Sequence, residues 1–84
     1  MFDAISTLKT KEEYYAFFED VCTVNEVLSI AQRIEVAKKL GEGKTYLEVT
    51  NDTGASTATI SRVNRMLNNG TNGLKIALER LEEE

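Results

Sequence analysis

The sequence has no histidine, no proline, no tryptophan and a single cysteine, Cys22. Each absence removes a class of chemistry. Without histidine the chain lacks the usual neutral-pH proton shuttle and the commonest metal ligand. One cysteine makes neither a disulfide nor a thiolate cluster, so no metal and no cofactor is expected. Cys22 reads instead as a small buried apolar residue rather than a reactive one, in a reducing compartment. The "GEGK" of residues 41–44, though followed by Thr45, lacks the spacing and the strand context of a phosphate loop. No nucleophile stands next to an evident base, and the chain is not expected to be an enzyme. No stretch approaches the roughly 18 apolar residues of a membrane span, and "MFDAISTLK" has neither the basic nor the apolar segment of a leader. The expectation is a soluble, cytoplasmic protein with no membrane partner.

The length sets the next bound. Eighty-four residues make one domain, 1–84, below the size at which one core comfortably stabilises itself. A small domain with no staple tends to borrow core from a second copy. The net charge of −4 is unevenly spread: residues 1–27 carry −4, residues 28–67 carry +2 and residues 68–84 carry −2. Only the middle of the chain would welcome a phosphate backbone.

What is present in quantity is helix signal. Thr10 with Glu13, Thr23 with Glu26 and Thr45 with Glu48 each place a hydroxyl three residues before a glutamate, the capping-box spacing. Gly43, Gly54, Gly70 and Gly73 fall between helical stretches, as caps and turns should. Tyr14, Phe17, Phe18 and Val21 line one stripe of the first capped helix, and Leu74, Ala77, Leu78 and Leu81 follow helical spacing near the end. A helix predicted from Val24 to about Leu40 is apolar on more than one side. Val24, Val27, Leu28, Ile30, Ala31, Ile34 and Ala37 cover half of it, with Val36 and Leu40 on the other half. That pattern wants burial on two faces. A second subunit is the simplest source, and a central helix of a monomeric core is the alternative. The predicted dimer core is Tyr14, Phe17, Phe18, Val24, Val27, Leu28, Ala31 and Ile34.

Residues 45–67 carry the functional pattern. A short helix, a break at Thr53-Gly54-Ala55 and a second helix capped at Ser56 give the layout of a helix-turn-helix. Val49, Ala55, Ile60 and Val63 fall where the two helices must touch. Thr50 and Thr53 stand where a small or apolar residue is more usual. Five of the thirteen residues in "TGASTATISRVNR" are Ser or Thr, unusual for a helix, because hydroxyls compete for backbone hydrogen bonds. With Ile60, Val63 and Leu67 inward, Thr57, Ala58, Ser61, Arg62 and Arg65 face solvent. Short side chains let such a helix enter a major groove, where hydroxyls and methyls meet base edges and arginines reach phosphates. The candidate DNA-contacting set is Lys44, Thr50, Ser56, Thr57, Ala58, Thr59, Ser61, Arg62 and Arg65, with Lys38 and Lys39 as further phosphate candidates. Taken singly, each of these is better read as a cap or a solvated surface group; as a set on one face after a turn glycine, they point to DNA.

"TGASTATISRVNRMLNNG", "FFEDVCTVNEVLSIAQRIEVAKKL" and "GKTYLEVTNDTG" together resemble the Trp-repressor-like family of the YerC/YecD type. The resemblance covers residues 12 to about 78. It implies an all-α domain of about six helices and an intertwined homodimer that reads a two-fold site on double-stranded DNA. It also implies an effector pocket, carried over residue by residue. The arginine that stacks on the ligand ring is matched by Arg33, the arginine that pairs with its carboxylate by Arg62, and a threonine opening the central helix by Thr23. Where the family's tryptophan-dependent repressor has a glycine and a serine beside the ligand, this chain has Val63 and Met66. Both add bulk there, so the pocket is vestigial and free tryptophan is not an expected ligand. Val63 is equally readable as an ordinary contact between the two helices of the motif.

The function that follows is a sequence-specific DNA-binding transcription regulator, a repressor acting as a dimer on a near-palindromic site. The rival is a protein-interaction module that keeps the helix-turn-helix as scaffold and binds through its acidic ends, including the "RLEEE" tail.

Overall fold

Three capping boxes and no strand pattern lead to helices, and the computed structural model, described over residues 1–83, consists of six of them with no strand among the described residues. They are α1 (Phe2–Ile5), α2 (Lys11–Val21), α3 (Val24–Gly41), α4 (Tyr46–Thr53), α5 (Thr57–Asn69) and α6 (Gly73–Glu82). The chain divides into two compact units, Met1–Ile30 and the residues from Ala31 onward.

In the first unit the local chemistry is that of caps. The Thr10 hydroxyl accepts from Glu13 N at 3.1 Å, while Glu13 Oε1 accepts from the backbone of Lys9 and Thr10. This satisfies donors that a helix start would otherwise leave orphaned. The Tyr14 hydroxyl reaches back to the Leu8 carbonyl at 3.3 Å, and Phe17 and Phe18 meet edge to face with centroids 5.4 Å apart. Apolar burial is poor by comparison. Among the described residues neither α1 nor α2 has a buried side chain, and on the opening turns of α3 Val24 is 75% and Leu28 60% exposed.

The second unit holds the core. Val36 and Ala37 of α3, Val49 of α4, Ala55 in the turn and Ile60 and Val63 of α5 are buried together, with Leu40, Leu67, Leu74 and Leu78 packed around them. Burial of each larger aliphatic here contributes about 1.5–3 kcal/mol. The outcome for α3 refines its two-faced pattern. The residues of this helix that the core takes in are Val36, Ala37 and Leu40, and Val24, Val27, Leu28, Ile30 and Ile34 stay open.

Of the glycines read as caps and turns, Gly73 departs from that reading and Gly70 keeps to it. Gly73 is the first residue of α6 and no cap, and the left-handed residue there is Asn72, with φ 69°. Asparagine tolerates that conformation because its side chain is short and polar. Gly70 does close α5, but in an extended conformation. A Cβ at that position would collide with the Met66 carbonyl oxygen, so close approach rather than handedness demands glycine.

Candidate nucleic-acid interface

The candidate interface is built by α4, its turn and α5. Thr45 and Glu48 cap α4 reciprocally, at 3.2 Å in each direction. The helix ends at Gly54, whose φ of 74° lies in the left-handed region, and Gly54 N donates to the Thr50 carbonyl at 2.9 Å. Here glycine is required for its conformation. Ala55 then turns into the core, 1% exposed. Ser56 caps α5: its Oγ accepts from Thr59 N at 3.2 Å and donates to Thr59 Oγ1 at 3.1 Å.

One face of α5 is fixed by Ile60 and Val63, both fully buried. The other side carries Thr57, Ala58, Arg62 and Arg65, all exposed, with Ser61 half-buried beside them. Its first turn has no acidic residue, so nothing there offsets the partial positive charge of the helix start. Lys44 is exposed ahead of α4, and Thr50 is half-buried within it. Ser56 and Thr59 have their hydroxyls engaged in the cap, whereas Thr57, Ala58 and Ser61 are the short side chains on the outer side of the helix start. Lys39 stands 4.0 Å from both Glu35 and Asp52, so carboxylates already compete for its charge.

The residues matched to the effector pocket have varied surroundings. Val63 is fully buried in the core, Met66 is 37% exposed, Arg33 is half-buried and Arg62 exposed. Thr23 opens α3 and is occupied there. Its hydroxyl accepts from Glu26 N at 3.1 Å, and Glu26 Oε1 accepts from Thr23 N at 2.8 Å. That backbone hydrogen bond, with the hydroxyl's help, holds the Glu26 carboxyl below its ordinary value. A cleft of about 570 Å³ does lie between the end of α3, α5 and α6, but Leu40, Leu67, Leu78, Lys38, Lys75 and Glu79 are among its walls and none of the matched pocket residues lines it.

Two residues gain importance that the pattern did not give them. Thr53, an apparent misfit, has its hydroxyl donating to the Val49 carbonyl at 2.7 Å and accepting from Ala55 N at 3.2 Å. Gln32 of α3 donates its Nε2 to the Thr53 carbonyl at 3.3 Å. A hydroxyl immediately before a turn glycine was a local signal for the first. Nothing in the sequence pairs the second with its partner.

This chain's sequence matches the profile of the family described as "Trp repressor protein" over residues 1–82. It is 54% identical over 83 residues to the uncharacterized protein YerC of Bacillus subtilis (strain 168), spanning 99% of this chain and 80% of that one. A crystal structure from Staphylococcus aureus superposes with a TM-score of 0.92 at 51% identity, covering 99% of this chain and 83% of the other. The crystal structure of a TrpR-like protein from Eubacterium eligens ATCC 27750 gives 0.92 at 60% identity, covering 96% and 84%.

Proposed function

Because this chain belongs to the Trp repressor family, we infer that it is a sequence-specific DNA-binding transcription regulator of the cytoplasm, a repressor that works as a homodimer. The observation that carries this reading is the two-sidedness of α5. Ile60 and Val63 lock one face into the core, and the opposite face presents short side chains followed by Arg62 and Arg65. Such a helix can lie close to base edges at its start and touch phosphates one turn later. Two copies related by a two-fold axis would set their α5 helices in successive major grooves, about 34 Å apart, on a near-palindromic site. Pairing is supported by the apolar side chains left open on α2 and α3. Thr57, Ala58 and Ser61 choose the sequence; Lys44, Arg62 and Arg65 supply affinity. Free tryptophan has no part in this reading: the positions matched to the glycine and serine of a ligand-dependent relative carry the bulkier Val63 and Met66.

The test is selection of bound sites from random duplex DNA, followed by affinity for the selected site across salt concentrations. A near-palindromic consensus with a steep salt slope is the expected result. No enrichment and no salt-dependent binding would leave the protein-interaction module as the function.

A further inference from the structure

We propose that Gln32 is the positioning residue that sets how α5 is presented. The inference rests on the reading of α5 as the DNA-contacting helix. The core contacts of Val36, Val49, Ile60 and Val63 are apolar. Apolar contact is non-directional: it fixes how closely helices approach and leaves sliding and rotation soft. A hydrogen bond restrains direction as well. Among the described residues, the side-chain bond from Gln32 Nε2 to the Thr53 carbonyl, spanning 21 positions, is the one hydrogen bond joining residues far apart in sequence. All other side-chain bonds span six positions or fewer. The ion pair of Lys39 with Asp52 crosses between the same two helices, but at 4.0 Å and half in solvent it restrains little.

The place where this bond acts matters. Carbonyls in the last turn of a helix lack partners within it. In α4 the Thr50 carbonyl takes Gly54 N, and the Thr53 carbonyl takes Gln32. From that peptide the path to α5 is stiff. Gly54 has a defined left-handed conformation, Ala55 is held by burial and by the Thr53 hydroxyl, and Ser56 is held by its cap. The orientation of the Thr53 peptide against α3 therefore passes to Thr57 and Ala58, the first residues of the reading helix. Gln32 touches no DNA in this arrangement. It acts through the turn.

Two variants separate the latch from simple packing. Gln32→Met keeps length and apolar contact but has no donor; Gln32→Glu keeps shape and sets a carboxylate against the carbonyl. Each is compared with the wild type on the selected duplex and on random duplex, with residual dipolar couplings of residues 31–41 and 57–69 measured in the free protein. Gln32→Met is expected to lower the preference for the selected site roughly tenfold, the scale of one mismatched base pair, with random-duplex affinity unchanged. The couplings of α5 should depart from the frame set by α3, and Gln32→Glu should exceed Gln32→Met in both respects. A packing role alone would lower the unfolding midpoint and leave the preference intact. Unchanged couplings and unchanged preference in Gln32→Met would overturn the inference. Couplings that shift in the variants while the wild type prefers no duplex would overturn the DNA reading and leave the latch standing.

Discussion

Arg62 and Arg65 stand exposed on α5, one turn beyond the short side chains at its start. Under the proposed function, position along the helix separates two kinds of work: groups at the start would meet base edges and the arginines would meet the backbone. Arg65→Ala should therefore weaken binding to all sequences alike and lower the slope of log affinity against log salt by roughly one unit for each phosphate no longer neutralised. A changed sequence preference at constant slope would reverse the assignment. Val63 poses a different question. Its side chain is fully buried between the helices of the motif, so Val63→Gly removes core packing and places glycine inside a helix, a cost of roughly 3 kcal/mol in all. If Val63 also fills a relative's ligand space, the variant should lose DNA affinity beyond that cost and gain a weak site for an indole-sized ligand. The unaltered protein should show no heat on titration with tryptophan, and micromolar binding would refute this.

At the scale of elements, α4 and α5 depend on one backbone conformation. Gly54 has φ 74° with nothing within 4 Å of a Cβ built on it, so a substitution there meets strain and no clash. Gly54→Ala should cost about 1–2 kcal/mol, the penalty of a left-handed L-residue, and Gly54→Asn less. Denaturant unfolding checks this: the midpoint should fall with the slope unchanged. The elements were legible wherever their chemistry is local. A hydroxyl and a glutamate three residues apart write a helix start into the chain, and all three predicted boxes at Thr10, Thr23 and Thr45 form. Helix α1 carries no such signature: it is a single turn whose cap, Met1, makes no side-chain bond. Asn72 hid for a related reason, since the neighbouring Gly73 advertised the turn more strongly. Of the site, the inward set Val49, Ala55, Ile60 and Val63 follows from periodicity. The tie from Gln32 to Thr53 does not, because it exists only once α3 and α4 are packed. Thr53 looked out of place to a hydrophobic pattern because the turn uses its hydroxyl.

At the scale of the molecule, burial is lopsided. The fully buried core lies from Val36 onward, and Tyr15, Val24 and Leu28 remain largely exposed. A chain of this size is marginal on such a core alone. Sedimentation at micromolar concentration should find a dimer, and Leu28→Glu or Ile34→Glu should give an unfolded chain, because a shared core cannot be removed from one side only. A folded monomer would overturn the dimer. The open face of the first unit then has a consequence for gene dosage. If only paired chains persist, the active species rises as the square of the chain's concentration when dilute, so halving synthesis cuts the regulator to roughly a quarter. Unmated chains, with their apolar face uncovered, are the ones cellular proteases remove first. Control by such a protein would switch over a narrow range of expression, set by the supply of the chain itself.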